Sequence, residues 1–371
     1  MEKKVLQVLG GLGRGGIETF IMNVYRSIDR SQIQFDFLLR TKGGDYEAEA
    51  RSLGAEIFIM GERNTGVIRY YHSLDVFFKE RARFYDAIHV HASSLSNIEV
   101  LYFAKKHGIQ TRILHSHSSS ISGSKLHFIT HLCFKPFVKY LATFYIGCSK
   151  KAIDWMFSGT GVYNKVVLLP NGIDVEEYRL NLQTRAFIRA ELGLNDDNII
   201  IGHVGRFVWI KNHKFIIDVF KHIITLNDKA RLVLVGDGPL FQEIQSYISK
   251  SNLEGKVILL GQRRDISAVL QAFDVFLMPS FYEGLPVSLV EAQSSGLLII
   301  GSDTISPDAD LTGCIRFIPL SRNSQFWAEY TLKEADGYIR KDHIDELKSK
   351  GFDIKTTARC LTQIYNGQDY K

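Results

Sequence analysis

The sequence predicts an α/β protein made of two doubly wound domains in tandem, and three observations support this fold class. Short apolar runs alternate with amphipathic stretches along the whole chain, as in parallel sheets that are covered by helices on both faces. The alternation is interrupted by the turn-forming cluster Pro170–Asp174 and then begins again. The chain of 371 residues is also long enough for two separate hydrophobic cores.

The first half of the chain contains predicted strands with amphipathic helices between them, for example Gly16–Ser27 and Val67–Arg83. We expect residues 1–172 to form the first domain. Its predicted strands are Val5–Leu9, Phe35–Leu39, Ala55–Met60, Ala87–Val90, Thr111–His115, Phe144–Cys148 and Val166–Leu169.

The second half repeats this pattern, and we expect residues 173–352 to form the second domain. The predicted strands are Ile199–Val204, Arg231–Val235, Val257–Leu260, Val275–Met278 and Leu298–Gly301, and the helices include His213–Ile224, Leu240–Ser249 and Pro286–Ser294. Three more helices close the chain, the last near Thr356–Tyr365, and we expect the segment 353–371 to pack back on the first domain. Doubly wound domains bind ligands at the carboxyl ends of their strands, so two such domains predict a cleft between facing crevices.

Composition narrows the class of protein. Hydrophobic residues make up 45% of the chain, without a low-complexity tract or an apolar run as long as a membrane span. The cysteines form no C-x-x-C pair, which favours a reducing cytoplasm over a disulfide framework or a zinc site. Residues 1–170 carry 22 Lys and Arg against 14 Asp and Glu, whereas residues 171–371 carry 23 against 26. A basic first half predicts an anionic partner, and because no nucleic-acid motif is present we favour a membrane surface or a lipid phosphate.

The most informative segment is Tyr282–Glu291, which follows a predicted buried strand. Pro286 suits the first position of a helix, because its fixed φ is helical and no N–H is needed there. The backbone amides of Val287 and Ser288 would then be free donors at a positive helix end, where phosphate binds.

Two carboxylates flank this helix start. Glu283 lies in the loop before it and Glu291 about one and a half turns into it, so they could accept hydrogen bonds from the hydroxyls of a sugar and of a ribose. The alternative is that Glu283 is a neighbour of the helix cap and Glu291 a solvated helix residue. With its Gly284, Leu285 and Pro286, the segment resembles the E-x7-E motif of retaining glycosyltransferases of family 4, which have the two-domain GT-B fold.

Two cations follow the first strand of the second domain. Arg206 and Lys211 lie in one loop, where they could clamp a diphosphate without a metal ion, although solvated loop charges are the alternative. They match the Arg/Lys pair that, in the family, neutralises the leaving nucleoside diphosphate. A later turn resembles the family segment whose backbone, here around Arg263 and Arg264, faces the nucleotide base, but these side chains could equally be solvated.

The glycine-rich turn after the first strand allows two interpretations. Gly11, Gly13 and Gly16 satisfy G-x-G-x-x-G, the fingerprint of dinucleotide binding. That fingerprint needs an acidic residue at the end of the second strand, whereas this strand ends in Arg40, so nicotinamide binding is disfavoured. By resemblance, Gly15 and Gly16 belong to the G-G-x-E turn that lines the family's cleft opposite the donor.

Four histidines lie at the ends of two strands, His89 and His91 on one and His115 and His117 on the next. H-x-H places both imidazoles on one face of a strand, which could indicate zinc, but no cysteine or carboxylate nearby supports a metal. Hydrogen-bonded histidines at the strand ends are the simpler interpretation. The resemblance implies that His117 is the cleft histidine beside the transferred sugar, with His115 as the alternative.

The segment Lys125–Phe144 mixes aromatic residues with Lys and His, and Pro136 should divide any helix there. An interfacial surface that approaches a lipid-linked acceptor and a pair of core helices are equally compatible with this pattern.

The resemblance covers nearly the whole chain and is strongest to bacterial capsular and exopolysaccharide glycosyltransferases. It implies transfer of a hexose, with retention, from a UDP-sugar or another nucleotide sugar to a lipid-linked oligosaccharide, without a metal cofactor and without nucleic acid. We expect a cytoplasmic enzyme that is peripheral to the inner face of the cell membrane. An NADP-dependent oxidoreductase and a non-catalytic partner subunit of the same fold are the alternatives.

Overall fold

The computed structural model describes residues 2–13, 15–61, 66–118 and 125–368. The chain forms two compact units, one of Met1–Gly172 with Gly351–Lys371 and the other of Ile173–Lys350. The terminal helix therefore belongs to the first unit. Within the described ranges, no helix has both the length and the apolar character that crossing a membrane requires.

Thirteen strands are formed within the described residues. They are β1 (Lys3–Leu9), β2 (Ile33–Leu39), β3 (Ile57–Ile59), β4 (Ala87–Ala92), β5 (Thr111–Ser116), β6 (Phe144–Gly147), β7 (Val166–Leu168), β8 (Ile200–Val204), β9 (Arg231–Val235), β10 (Val257–Gly261), β11 (Val275–Met278), β12 (Leu298–Ser302) and β13 (Ile315–Ile318).

The α-helices of the same part of the chain are α1 (Gly16–Ser27), α2 (Glu47–Ser52), α3 (Val67–Arg81), α4 (Glu99–Lys106), α5 (Lys125–Phe134), α6 (Val138–Leu141), α7 (Lys150–Phe157), α8 (Leu182–Glu191), α9 (His213–Leu226), α10 (Phe241–Lys250), α11 (Ile266–Ala272), α12 (Val287–Ser294), α13 (Ser324–Ala335), α14 (Ile344–Ser349) and α15 (Ile354–Tyr365).

The sheet of the first unit is parallel, with the order β3-β2-β1-β4-β5-β6-β7. The chain reverses its direction of progress between β1 and β4, and this topological switch point is where doubly wound sheets bind ligands. The loop after β1 is the glycine-rich turn. The histidine-bearing strands β4 and β5 pair in register on the other side of the switch, with His89 beside Ile113 and His91 beside His115.

The sheet of the second unit is also parallel, with the order β10-β9-β8-β11-β12-β13. Its switch point lies between β8 and β11. The loop after β8 carries Arg206 and Lys211, and the loop after β11 carries the segment 279–286. The topology of this unit therefore brings the two most informative sequence segments to one edge of one sheet.

Close packing behind the second sheet depends on one glycine. Gly202 lies in β8, and a Cβ at this position would collide with the ring of Phe273, which is fully buried. In the same region, Arg185 of α8 caps the carboxyl end of α11. Arg185 donates to the carbonyls of Gln271 and Phe273 at 2.9 and 2.8 Å, respectively, so the negative end of this helix is capped by cationic groups.

The structure differs from the sequence-based expectation in a few elements. The edge strand β13 was not predicted. The helix of the 282–291 segment begins at Val287 and not at Pro286, because Pro286 has φ −68° and an extended ψ of 143° and so occupies the N-cap position. The prediction that Pro286 is the first helical residue is therefore wrong by one position, but α12 still starts without a side-chain cap.

Candidate functional site

The candidate site in the second unit is formed by two loops that flank the switch point. Hydrogen bonds join them: the amide of Phe281 donates to the carbonyl of Ile210 at 2.9 Å, and Asn212 Nδ2 donates to the carbonyl of Pro279 at 3.1 Å. Asn212 has a positive φ of 55°, a left-handed conformation that Asn tolerates better than most residues. The loops therefore hold each other in a fixed register.

Lys211 and Glu283 meet between these loops. Lys211 Nζ lies 2.6 Å from Glu283 Oε1, and only 13% and 14% of the two side chains are exposed. At this distance the two oppositely charged groups form a close ion pair. Glu283 is also held through its backbone, since its carbonyl accepts from the amide of Ser306 at 3.0 Å. A largely buried cation and a largely buried carboxylate thus lie side by side, where they can meet a ligand that carries both phosphate and hydroxyl groups.

Glycines allow the lysine to reach this position. The Lys211 side chain runs beside Gly205, where an added Cβ would lie 3.4 Å from Lys211 Cε. Gly236, at the end of β9, has φ +133° and presses against the carbonyl of Gly205 so closely that a side chain there would collide with it. The Gly236 turn is therefore structural and supports the loop that carries the cations.

Helix α12 presents its amino terminus beside the ion pair. The amides of Val287 and Ser288 have no acceptor among the described residues, as expected for the first turn of a helix with no side-chain cap. Gly284 has open space around its α-carbon, so a ligand can approach the backbone there. Leu285 packs against the core of the second unit and so fixes the loop before α12.

Glu291 is not the solvated helix residue of the simpler interpretation. Its side chain is partly exposed but closely surrounded by protein, and this desolvation raises the pKa of Glu291 to about 7. The hydroxyl of Tyr178 donates to Glu291 Oε1 at 2.9 Å and lowers the pKa, while the nearby charge of Glu177 raises it further. A carboxylate with free hydrogen-bonding capacity is thus held one turn below the free amides of α12.

The remaining predicted residues of this unit are less constrained. Arg206 lies in the same loop as Lys211, but its guanidinium is exposed and has no ion-pair partner within the described ranges. Arg264 is likewise exposed after β10. Its neighbour Arg263 is engaged by the protein itself, donating from Nε and Nη2 to Asp265 at 2.8 and 2.6 Å and from Nη1 to Glu191 at 2.7 Å. The Arg263 side chain is therefore occupied by protein carboxylates, whereas Arg264 is exposed at this turn.

Two features of this site were missed from the sequence. Trp209 is 70% exposed and stacks on Phe281 with ring centroids 4.4 Å apart, so an aromatic pair stands beside the ion pair. His203 and His213 are buried behind Lys211, and burial together with the lysine charge lowers the pKa of His213 to about 4. Because the imidazoles of His203 and His213 are neutral, the positive charge beside Glu283 comes from Lys211. The sequence signal that could have indicated the aromatic pair is Trp209, two residues before Lys211.

In the first unit, the glycine-rich loop is closed by the end of β2. The amides of Arg40 and Thr41 donate to the carbonyl of Gly10 at 3.1 and 3.0 Å. Gly15 is the N-cap of α1, and Gly16 begins the helix with open space around its α-carbon. Arg14, which precedes Gly15, lies outside the described residues.

Asp36 occupies a structural position in the first unit. It accepts from the amide of Glu56 at 2.8 Å and from the hydroxyl of Tyr85 at 3.0 Å, so it is buried within β2 rather than placed at its end. This position does not fit the acidic residue that a dinucleotide fingerprint needs to hold a ribose.

Four histidines at the ends of β4 and β5 form one cluster, with ring contacts between neighbours. His115 is fully buried within β5, whereas His117 lies one residue beyond the strand and is partly exposed. Burial lowers the pKa of His89, His91 and His115 well below the ordinary value, and that of His117 to about 3, so all four imidazoles are neutral at physiological pH.

A metal interpretation of this cluster has limited support. One ring nitrogen from each of His89, His91 and His115 lies within 4.8 Å of the other two, and these three could in principle meet at an ion. The ring nitrogens of His89 and His91 all take part in hydrogen bonds to neighbouring side chains, which leaves few lone pairs to converge on a metal.

The segment after β5 presents an apolar surface. Around α5 and α6, Phe128, Ile129, Leu132, Phe137 and Tyr140 are between 42% and 57% exposed. A pair of core helices would bury these side chains, so this alternative is wrong. Pro136 does divide the segment, since α5 ends at Phe134 and a 3-10 turn follows.

Comparison with known proteins identifies the family of the chain. The family model described as Glycosyltransferase Family 4 matches residues 14–177, and that described as Glycosyl transferases group 1 matches residues 184–311. EpsF of Bacillus subtilis (strain 168), a protein assigned to the glycosyltransferases, is 36% identical over 378 residues, which cover 98% of this chain and 97% of EpsF.

Two further proteins extend the comparison. The Escherichia coli UDP-Gal:alpha-D-GlcNAc-diphosphoundecaprenol alpha-1,3-galactosyltransferase is 30% identical over 253 residues, covering 65% of this chain and 64% of that enzyme. The crystal structure of Anabaena Alr3699/HepE in complex with UDP-glucose has the same fold, with a TM-score of 0.76 at 18% identity over 98% of this chain and 99% of that one.

The two doubly wound parallel sheets have the GT-B fold of the Anabaena structure. The two family models and the similarity to EpsF show that the chain is a glycosyltransferase. The relationship to EpsF over the full length of both chains then specifies the family. The chain belongs to the glycosyltransferases of family 4.

Proposed function

We propose that this protein transfers a hexose from a UDP-sugar to a lipid-linked saccharide in polysaccharide biosynthesis, with retention at the anomeric carbon. The observation that carries the proposal is the Lys211–Glu283 ion pair beside the free amides of α12. This arrangement offers positive charge to a diphosphate and a carboxylate to sugar hydroxyls within one loop pair. The donor of the related E. coli galactosyltransferase is a UDP-sugar and its acceptor carries a lipid diphosphate, which supports the same classes here.

The ion pair suggests how the donor enters. Without a ligand, Lys211 and Glu283 neutralise each other. When the nucleotide sugar binds, Lys211 turns to the diphosphate and Glu283 accepts hydrogen bonds from the sugar hydroxyls, so neither charge is left buried and unpaired. Glu291 accepts hydrogen bonds from the ribose on the other side of the phosphates.

The departing nucleoside diphosphate is stabilised by fixed positive groups. Lys211 and the amides of Val287 and Ser288 oppose the charge that develops as the glycosidic bond breaks. We assign the exposed Arg206, in the same loop as Lys211, to this role as well. These groups can neutralise a diphosphate without a metal ion, so we propose that transfer continues in EDTA. In the first unit, we assign His117 to the transferred sugar and the Gly15–Gly16 turn to the acceptor.

The exposed apolar surface around α5 supports a membrane-bound acceptor. Lys139 lies next to Tyr140, with Nζ 4.9 Å from the ring centroid, and both are exposed. Aromatic and aliphatic side chains flanked by lysine are suited to the boundary between anionic headgroups and acyl chains. We propose that this surface holds the enzyme at the inner face of the cell membrane, where a lipid-linked saccharide is available.

The decisive experiment measures UDP binding by calorimetry for wild type, Lys211→Ala and the matched control Lys214→Ala. Lys214 is exposed and pairs with Glu243 on the surface, so its loss should leave binding unchanged. We expect Lys211→Ala to weaken UDP binding by about 10- to 100-fold, because a charge-assisted contact contributes roughly 1.5–3 kcal/mol. Equal affinity of all three proteins would refute the proposed diphosphate site.

Catalysis is tested separately with a panel of nucleotide sugars and a lipid diphosphate saccharide. Release of UDP and a product whose anomeric configuration matches the donor are expected from the purified protein alone. A product of inverted configuration would contradict retention, and no turnover with any donor would favour a non-catalytic partner subunit.

A further inference from the structure

The two loops at the switch point of the second unit share an aromatic pair as well as an ion pair. Trp209 stacks on Phe281 with ring centroids 4.4 Å apart and ring planes 18° from parallel. Trp209 precedes Lys211 by two residues and Phe281 precedes Glu283 by two, so each loop contributes one ring and one charged group. Because two residues of chain span at most about 7 Å, a ligand at the ion pair lies within reach of the rings.

The aromatic pair is held rigidly. The amide of Phe281 donates to the carbonyl of Ile210 at 2.9 Å, and the carbonyl of Trp209 accepts from the amide of Asn212 at 3.0 Å. One face of the indole is covered by Phe281, yet Trp209 is 70% exposed. The opposite face is therefore open to solvent, and a ligand that covers it has little side-chain freedom to remove.

The size of this open surface indicates the kind of ligand. Within residues 205–212 and 279–286, all of which the structure describes, the exposed large apolar side chains are Trp209 and Tyr282. A tryptophan buries about 150–250 Å² on contact, whereas a stable protein partner covers roughly 800 Å². The surface is thus too small for a protein and suits one small ring.

The polar groups beside the rings indicate a sugar. A pyranose has C–H groups on its faces and hydroxyls around its rim, so it needs an apolar platform with polar groups at the edge. Lys211 and Glu283 lie on the same two loops as the rings, and the exposed Arg206 precedes Trp209 by three residues.

We propose that Trp209 is a platform for a sugar ring of the acceptor saccharide, which stacks a C–H face on the open face of the indole. This inference rests on the proposed function for the identity of the ligand. There the donor occupies Lys211 and Glu283, which are only 13% and 14% exposed. Trp209 is far more open than these groups and is left for a second sugar. An axial hydroxyl would hold a sugar face away from the indole, so the platform selects acceptor rings with one face free of axial hydroxyls.

The first test is 19F NMR of the full-length protein labelled with 5-fluorotryptophan. The chain has three tryptophans, and the resonance that disappears in Trp209→Phe belongs to Trp209. Trp327 is fully buried and serves as an internal control. UDP is added to saturation, followed by the methyl glycosides of glucose, galactose, N-acetylglucosamine and N-acetylgalactosamine in separate titrations. We expect at least one glycoside to shift the Trp209 resonance and to leave that of Trp327 in place.

Two results of this titration would overturn the proposal. One is the absence of a Trp209 shift with all four glycosides. The other is a shift that UDP alone completes and no glycoside changes, which would assign the ring to the donor. Calorimetry of UDP binding tests the proposed function independently, so failure of the donor site and failure of the platform are different results.

Variants test the platform in transfer. Trp209→Ala should raise the KM for the acceptor about 5- to 10-fold, the usual size of an aromatic contact, and leave kcat and UDP affinity within about 2-fold. Trp209→Phe keeps a ring and should recover most of the loss. The matched control is Phe187→Ala, which removes a 68% exposed ring from α8 of the same unit and should behave as wild type.

Three outcomes of these kinetics would refute the platform. An unchanged acceptor KM in Trp209→Ala would show that the indole contacts no acceptor. A loss as large in Trp209→Phe as in Trp209→Ala would show that the ring does not act by stacking. Weaker UDP binding by Trp209→Ala, with an unchanged acceptor KM, would place the ring in the donor site.

Discussion

Glu291 allows a prediction in which stability and donor binding respond to pH in opposite directions. Desolvation raises the pKa of this carboxyl from 4.5 to about 7 in the folded protein. A raised pKa means that the neutral form favours folding and the ionised form opposes it. The contribution to stability is therefore complete below about pH 4.5 and is lost as the pH rises through about 7.

The magnitude follows from the size of this change. At about 1.4 kcal/mol per pH unit the raised pKa corresponds to roughly 3 kcal/mol, which we reduce to about 2 kcal/mol because the side chain is partly exposed to water. Glu291→Gln, which is neutral at every pH, should thus be about 2 kcal/mol more stable than wild type at pH 8 and nearly equal to it at pH 5. The measurement is urea unfolding at both pH values, with Glu254→Gln, on an exposed residue of the same unit, as the control.

Donor binding should show the reverse preference. A carboxylate accepts hydrogen bonds from ribose hydroxyls better when it is ionised, so UDP binding to wild type should strengthen about tenfold between pH 6 and pH 8. UDP itself titrates near pH 6, but that contribution is common to wild type and Glu291→Gln and cancels in the ratio of their affinities. A ratio that does not change with pH, or a Glu291→Gln protein less stable than wild type at pH 8, would refute the assignment of a desolvated, ribose-binding carboxyl.

Three further predictions concern Tyr178, the apolar surface around α5 and Gly202. Tyr178→Phe removes the hydrogen bond that lowers the pKa of the same carboxyl, so the midpoint of the pH dependence of UDP binding should rise, and an unchanged midpoint would contradict this contact. Phe128→Asp should weaken binding to vesicles that contain anionic lipid by about 5-fold or more in a sedimentation assay, whereas the control Phe187→Asp, on an exposed residue of the second unit, should not. Gly202→Ala should destabilise the second unit by roughly 2 kcal/mol or more in urea unfolding, because its Cβ would collide with Phe273, and wild-type stability of this variant would show that the sheet can shift to accept it.

Much of the fold follows from periodicity alone. The predicted strands of the second unit, such as Val275–Met278, lie within one residue of their observed ends, whereas β1 to β4 differ from the prediction by two residues at one end. The edge strand β13 was missed because Arg316 interrupts its apolar residues, so that it lacks a continuous apolar run. The start of α12 differs by one residue because φ of a proline is the same at the N-cap and at the first helical position, and only ψ separates them.

The site was predictable where it depends on local order and not where it depends on distant segments. Lys211 and Glu283 could be placed together because both follow strands that end at one edge of a doubly wound sheet. The partner of Glu291 could not be found, because Tyr178 lies 113 residues earlier in a turn with no motif. The same holds for Gln7 and Tyr365, which are 358 residues apart and meet only after the terminal helix has packed.

The packing of α15 against the first unit matters for anyone who recombines family members. A fragment that stops at Gly172 would lack Tyr365, whose hydroxyl bonds to Gln7 and His89, and would lack Leu361 and Ile364 of the same core. Chimeras that exchange the second unit must therefore take two cuts, at Gly172 and at Gly351, and carry the last helix with the amino-terminal parent. A single junction would combine the first 172 residues of one parent with the last helix of the other, although both segments belong to one folded unit.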